Sequence, residues 1–297
     1  MRTVGELKEK LYIDIIDYFD QGNMWEYGIK RCKELAEHYE QESYEYDKLS
    51  KILAKQAQFF ENIIKAVVRP EPTYFRVGYY GRGFPTFLRN KLFIQRGDEF
   101  EKLSDFTMRM RTLFPTAQFL QTLEEPGADV KDSLKQWIQI CKVDPKPVLR
   151  RKFQSKNIAE QIKKFYEVND VSEFILNRPF HRGTRDKDNE FATLWIERAT
   201  MNTEFSFPGK LRWCEVHSVE RVELSPIENA VDTMKTKNKE LSTLIAQHSS
   251  DPKLNYNNLS MVLNGTIDAA VMGGYANYEK IFFRFLFFVL PLTNIFK

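Results

Sequence analysis

Two prolines, Pro70 and Pro72, divide the chain into parts of different character. Before them, apolar residues recur at helical spacing from residue 3 to residue 68. Proline lacks a backbone donor and crowds the preceding helical turn, so a helix is expected to stop there. From Thr73 onwards, short runs of β-branched and aromatic residues alternate with glycine and proline. The sequence therefore predicts a helical segment followed by a β-rich one.

The first segment is expected to contain three helices. Thr3 and Glu6 have the spacing of a capping box, and Gly22 is expected to end the first helix. Asn23 is expected to cap the second helix, and the third is expected to begin near Asp47. The apolar stripes are Leu7, Leu11, Ile15 and Phe19 in the first helix, Trp25, Ile29, Cys32, Ala36 and Tyr39 in the second, and Leu49, Ile52, Leu53, Ala57, Phe60, Ile63, Ile64 and Val67 in the third.

The central segment reads as a sandwich or a pair of sheets. Its glycine-rich stretch, residues 78–83, fits neither common phosphate-binding pattern and is expected to be a turn between strands. Two short helices are expected at residues 105–114 and 159–166. The candidate strands are residues 74–80, 92–95, 137–143, 171–176, 191–197, 211–216 and 219–224.

Helical patterning returns at Ser225, where Pro226 and Glu228 complete a strong start signal. A last helix, expected from Asn258, is interrupted by glycine at Gly265 and at the Gly273–Gly274 pair. The predicted class is α+β with several lobes. The expected parts are residues 1–68 (end of a helical lobe), 73–222 (β-rich lobe), 225–283 (start of an incomplete helical bundle) and 284–297 (hydrophobic tail).

Composition excludes several functions. The 44 basic and 41 acidic residues leave a net charge of +3, too little to indicate a nucleic-acid partner. The three cysteines are widely spaced and the four histidines show no metal-ligand pattern, so neither a disulfide framework, a metal nor a cofactor is predicted. The N-terminus has no apolar signal region, and a cytoplasmic location is expected.

Other candidate sites carry weaker signals. Basic residues between Lys146 and Lys164 could bind phosphates or acidic lipid, although a solvated surface is the commoner explanation. Residues 178–183 read as a strand end that could instead contact a partner. His217 is expected on a sheet surface rather than as a base, and nothing local marks a nucleophile.

Seven stretches resemble, in order and spacing, the catalytic exchange region of the dedicator-of-cytokinesis (DOCK) guanine nucleotide exchange factors, known as the DOCKER or second Dock-homology region. The resemblance extends over residues 5–283 and is strongest to the Rac-directed branches. The stretches are Met24–Glu26, Lys33–Glu37, Phe75–Gly81, Phe84–Arg89, Asn189–Arg198, Leu224–Ala230 and Leu263–Lys280.

The resemblance implies a function that needs no covalent chemistry. The β-rich lobe and the bundle would hold a Rho-family GTPase, with Rac expected first and Cdc42 second. Val271 would enter the nucleotide pocket as a sensor, supported by Ala270, Met272, Gly273 and Gly274. Because Mg²⁺ requires oxygen ligands in near-octahedral geometry, two methyl groups beside it would disfavour its binding and loosen GDP.

The resemblance also implies an intact parent protein that pairs as a homodimer through its helical lobe and meets membranes through domains outside this chain. The match to the family pattern ends at Phe283, so the family's bundle and helical lobe are expected to be truncated here. Residues 284–297 are too short a run, and too interrupted by Pro291, for a membrane-spanning helix. A scaffold that binds the GTPase without completing exchange is therefore the alternative function.

Overall fold

The computed structural model describes residues 3–65, 72–149, 160–183, 190–250, 254–267, 275–279 and 282. It divides into two compact units, Met1–Glu71 and Pro72–Lys297, and confirms the α+β class. The boundaries predicted near residues 222 and 283 stay predictions.

The helices are α1 (Val4–Gln21), α2 (Trp25–Gln41), α3 (Tyr46–Lys65), α4 (Leu103–Leu113), α5 (Ala128–Lys131), α6 (Glu160–Val168), α7 (Pro226–Ser250), α8 (Asn257–Ile267) and α9 (Tyr275–Tyr278). The strands are β1 (Pro72–Tyr80), β2 (Lys91–Glu99), β3 (Gln118–Leu120), β4 (Trp137–Lys146), β5 (Val171–His181), β6 (Leu194–Phe207) and β7 (Trp213–Leu224).

Helix α1 begins and ends as the sequence predicts. The Thr3 hydroxyl accepts from the Glu6 amide, and the Glu6 carboxylate accepts from the Thr3 amide, which completes the capping box. Gly22 follows the last turn. The prediction that Asn23 caps α2 is wrong. Asn23 has a φ of 52°, a turn conformation that asparagine tolerates, and Met24 occupies the cap position without a side-chain hydrogen bond.

Helix α2 lies at the centre of the first unit, in contact with both α1 and α3. Its predicted stripe is confirmed at Ile29, Cys32, Ala36 and Tyr39, all buried. The other two predicted stripes are right only in part: Ile52 of α3 is buried, whereas α1 buries Ile16 in place of Ile15. In α3, Phe59 is fully buried because Gly28 lets its ring approach the α2 backbone, whereas Phe60 is exposed. The unit's core is Ile16, Ile29, Cys32, Leu35, Ala36, Tyr39, Ile52 and Phe59.

The second unit is built on a strand order that closes on itself. The order is β1-β2-β7-β6-β5-β4-β3, and β1 also pairs with β4. All neighbours are antiparallel except β3 and β4. Strand β4 pairs with β1 through residues 137–143 and with β5 through residues 144–146, so it passes from one sheet to the other. The two predicted sheets are therefore joined. One contains β1, β2, β3, β4 and β7, the other contains β4, β5, β6 and β7, and β4 and β7 belong to both.

Two apolar cores lie on opposite faces of β1. One packs Phe75, Val77 and Tyr79 against α4 and the β1–β2 turn. The other lies between the two sheets and combines residues of β1, β2, β4, β5, β6 and β7, including Tyr74 and Phe174. Alternating side chains of a strand point to opposite faces, so β1 contributes to both cores.

Two strand predictions need correction. The runs predicted at residues 211–216 and 219–224 form the single strand β7. His217 is its extra residue, because Val216 faces Thr203 while Ser218 faces Asn202. The strand predicted from residue 191 begins at Leu194, after a short 3₁₀ helix at Glu190–Thr193. Residues 178–181, read as a strand end, belong to β5 and pair with β6.

Candidate functional site

The predicted sensor residues Ala270, Val271, Met272, Gly273 and Gly274 lie outside the described residues. The described flanks are α8, which ends at Ile267, and α9, which begins at Tyr275. Helix α8 passes through Gly265 without a break, so the interruption predicted at that glycine is wrong. Among the described residues, nothing lies close to a Cβ placed at Gly265, so their packing does not require glycine there.

Helix α7 joins the β-rich part of the unit to the flanks of the candidate site. Its start is confirmed: the Ser225 amide and hydroxyl both donate to the Glu228 carboxylate, at 2.8 and 2.6 Å. These hydrogen bonds lower the pKa of Glu228. One turn further, Asp232 accepts from Arg198 Nη2 of β6 at 2.7 Å. This ion pair fixes the first half of α7 on the sheet.

The C-terminal flank is held by Tyr278, which is 5% exposed. Its ring lies edge-on to Phe191, just before β6, with centroids 6.0 Å apart. Burial raises the pKa of Tyr278, and a hydrogen bond with Thr233 of α7 opposes this rise. Tyr278 therefore ties α9 both to α7 and to the start of β6.

The N-terminal flank is held through α8. The His248 ring near the end of α7 stacks on Tyr256, with centroids 4.7 Å apart and an interplanar angle of 10°. Thr266, in the last turn of α8, is buried, and its hydroxyl donates to the Val262 carbonyl at 2.7 Å. The segment that carries Val271 is therefore bounded on each side by a buried side chain.

Apolar side chains remain exposed on both long helices of this region. They are Ile227, Val231 and Ile245 on α7, and Met261, Leu263 and Ile267 on α8. Clusters of exposed apolar side chains are typical of surfaces that contact another protein.

Sequence comparison identifies the family. Residues 7–65, 124–206 and 244–285 match the family models described as DHR-2 Lobe A, DHR-2 Lobe B and DHR-2 Lobe C. Human dedicator of cytokinesis protein 4 is 44% identical over 283 residues, covering 95% of this chain. Mouse dedicator of cytokinesis protein 3 is 46% identical over 283 residues, again 95% of this chain. This chain belongs to the DOCK family.

The DOCK relationship extends to a distant relative, the yeast (Saccharomyces cerevisiae) DOCK-like protein 1, which is 27% identical over 288 residues and 92% of the chain, or 14% of its own length. The chain also spans only 14% of the length of the human and mouse relatives. The Lobe C match covers residues 244–285 and therefore includes Val271. The stretch whose resemblance led to the sensor assignment, Leu263–Lys280, therefore lies within the Lobe C match.

The remaining candidate positions are the glycine-rich turn, the basic residues after Lys146 and His217. Gly81 has a φ of 97°, and a Cβ there would lie 2.2 Å from the Lys135 carbonyl oxygen, which confirms the turn. Lys146 pairs with Glu173, whereas Arg150, Arg151, Lys152 and Lys156 lie outside the described residues. His217 is exposed on β7.

Metal, redox and membrane features can be assessed in the described part of the chain. It contains no group of three or more histidine, cysteine, aspartate or glutamate side chains suited to a metal ion. Its three cysteines are free and buried, and burial raises the pKa of Cys32 to about 11. None of its helices combines the length and the apolar character that a bilayer crossing requires.

The structure also contains a cavity that sequence analysis missed. It has a volume of about 530 Å³ and is lined by residues of both sheets, with Arg76 and Tyr80 of β1 among them. Arg76 is 7% exposed and donates from Nη2 to Gln139 Oε1, while its buried Nε–H has no hydrogen-bond partner. A sequence signal was present, because a charged residue in a strand whose neighbours are aromatic is unusual.

Proposed function

We propose that this chain promotes GDP release from a Rho-family GTPase, with Rac as the first candidate and Cdc42 as the second. The proposal rests on one observation: the three DHR-2 lobe matches follow one another along the chain, and the last includes Val271. The glycine-interrupted stretch that led to the sensor assignment, residues 263–280, lies inside the Lobe C match rather than at its edge. A cytoplasmic location, where such GTPases act, belongs to the same proposal.

Val271 is the proposed sensor. Its two methyl groups would occupy the position of Mg²⁺ ligands without supplying an oxygen, and Mg²⁺ loss would weaken GDP binding. Ala270 and Met272 would shape the segment, while Gly273 and Gly274 would allow its sharp turn. The buried flanking residues Thr266 and Tyr278 support this role because flanks that are already ordered lose little further entropy when the GTPase binds.

The exchange factor would act by differential binding. It must hold the nucleotide-free GTPase more tightly than the GDP-bound form, because a ligand shifts an equilibrium only by its differential affinity. The exposed apolar side chains of α7 and α8, such as Val231 and Met261, are the proposed contact surface. The same surface would also serve the alternative function, a scaffold that binds the GTPase without releasing GDP.

A homodimer through the helical unit is proposed as well. Along α1, Val4, Leu7, Leu11 and Tyr18 are exposed, each by more than half. An apolar stripe of this kind on a helix is typical of a surface that packs against a partner. A second copy of the same unit would cover it in the intact parent protein.

The test is the release of mantGDP from Rac and from Cdc42 over a range of concentrations of this chain. We expect Val271→Ala to lower the exchange rate on the active GTPase at least tenfold, about 1.4 kcal/mol in the barrier. Binding of nucleotide-free GTPase should be largely retained. Val222→Ala, an exposed valine on β7, is the matched control and should leave the exchange rate unchanged.

Each other outcome has a defined meaning. An unchanged exchange rate for Val271→Ala in an active protein would contradict the sensor assignment. Binding of either GTPase without faster GDP release would favour the scaffold. Absence of both binding and release, from folded protein, would contradict both functions.

A further inference from the structure

Arg76 is a buried cation that no carboxylate balances within the described parts of the chain. It lies on the inner face of β1, where Nη2 donates to the neutral amide of Gln139 and the side chain also hydrogen-bonds the Cys141 thiol, both on β4. The Nε–H is buried and unpartnered. A buried charge without a counter-charge is costly, so an anion bound beside Arg76 would be stabilised there.

The other cations around the cavity are already paired. Arg178 donates to Glu197 at 2.7 Å and to Glu124 at 3.1 Å. Glu125 accepts from Lys131 at 2.8 Å and from Arg221 at 3.2 Å. The lining thus holds four cations and three carboxylates, and the surplus positive charge is one. Arg76, buried and unpaired, is where that surplus lies.

Apolar side chains form much of the remaining wall. They come from β2, from residues 121–127, and from β5, β6 and β7, and they are Leu92, Leu123, Leu176, Ala199, Met201 and Val219. A volume of about 530 Å³ lies within the range of small-molecule sites, which are generally apolar with a few placed polar groups.

We propose that this cavity binds a small organic monocarboxylate, with its carboxylate on Arg76 and its apolar body against Leu176 and Val219. The planar Arg76 guanidinium lines the cavity, and its Nη hydrogens are the charge-assisted donors for the carboxylate. One surplus charge matches a monoanion better than a phosphate dianion. The Tyr80 hydroxyl, which no described residue hydrogen-bonds, supplies a second donor on the same face of β1.

Gln139 would act as a positioning residue. It is 1% exposed, and its amide nitrogen donates to the carbonyls of Thr122 and Glu124 at 2.6 and 2.8 Å. Its amide oxygen accepts from Arg76. One side chain therefore holds the guanidinium and also the stretch 121–127 that closes one side of the cavity.

The test uses the full chain and four sodium salts, acetate, hexanoate, phosphate and chloride, at matched ionic strength. Binding is measured by calorimetry and by the shift in thermal midpoint. We expect saturable binding of hexanoate, at least tenfold tighter than that of acetate, and none of phosphate. Arg76→Gln should weaken hexanoate binding at least tenfold. The matched control is Arg82→Gln, an exposed arginine paired with Asp132 and outside the cavity lining, which should retain binding.

A second variant keeps the test decisive if Arg76→Gln does not fold. Ala199→Leu narrows the cavity and leaves Arg76 in place, so it should weaken hexanoate binding more than acetate binding. Hexanoate binding no stronger than chloride binding, or unaffected by these variants, would overturn the proposal. Phosphate binding that depends on Arg76 and exceeds hexanoate binding would overturn the assigned ligand class. None of these measurements involves a GTPase.

Discussion

The two faces of β1 are equally buried but differ in what they contact. On one face, Phe75 stacks on Phe106 of α4 at a centroid distance of 4.0 Å, and Tyr79 lies edge-on to three further aromatic rings. On the other face, Arg76 and Tyr80 border a cavity. One strand therefore has a face that is closely packed along its length and a face that is packed at Tyr74 but borders space and an unbalanced charge at Arg76 and Tyr80.

This difference teaches that burial alone does not identify a structural core. Close packing yields dispersion contacts and desolvation together, whereas a side chain beside a cavity is removed from bulk water without gaining all of those contacts. Stability should therefore depend more on the packed face than on the cavity face. Ligand binding should depend on the cavity face.

The largest expected effect is on the packed face. Phe75→Ala should lower the free energy of unfolding by roughly 3–5 kcal/mol, because Phe75 is fully buried and its removal leaves a new cavity under α4. Met201→Ala, beside the existing cavity, should cost about 2 kcal/mol, the lower end for such changes. Urea unfolding of both variants gives the comparison. Equal losses would mean that the two faces contribute alike.

A smaller difference is expected for two glycines. A Cβ at Gly97 of β2 would lie 2.7 Å from the Phe75 ring and 2.9 Å from the Thr73 carbonyl oxygen. A Cβ at Gly78 would lie 2.6 Å from the ring and hydroxyl of Tyr80, which borders the cavity and has room to move. We expect Gly97→Ala to cost about 3 kcal/mol and Gly78→Ala about 1 kcal/mol.

The measurement is the unfolding midpoint in urea at a common slope. If Gly78→Ala were as destabilising as Gly97→Ala, Tyr80 would be held as firmly as Phe75. The distinction between the two faces would then fail at that position.

Much of the fold could be predicted from the sequence because the signals were local. The capping boxes at Thr3 and Ser225 and the turn at Gly81 are each set by a few neighbouring residues, and all three are confirmed. Errors arose where tertiary contacts decide. Phe59 rather than Phe60 is buried because Gly28, on another helix, makes room for its ring.

The sensor segment and the cavity also differ in how far the sequence alone could predict them. The sensor assignment came from family resemblance and stays a prediction, since Val271 lies outside the described residues. The cavity could not have been found from spacing, because Arg76, Gln139 and Arg221 are brought together only by strand pairing over long sequence distances. Strand order, not local pattern, determines which residues line it.

The smallest expected effect separates the two neighbouring tyrosines of β1. The Tyr79 hydroxyl accepts from Gln95 Nε2 at 2.8 Å, whereas no described residue hydrogen-bonds the Tyr80 hydroxyl. Tyr79→Phe should cost about 1 kcal/mol at neutral pH through the lost hydrogen bond, and Tyr80→Phe less.

Burial raises the pKa of Tyr79 to about 12. The folded state therefore keeps the Tyr79 proton more tightly than the unfolded state does. The stability linked to this proton is fully present below about pH 10, the pKa of an unfolded tyrosine, and is lost as the pH rises towards about 12. Urea unfolding between pH 9 and about 12 should show a shallower alkaline loss of stability in Tyr79→Phe than in the unmodified chain. The exposed Tyr44→Phe is the control. An alkaline loss of stability unchanged by Tyr79→Phe would mean that the hydroxyl on the packed face ionises as freely as one in water.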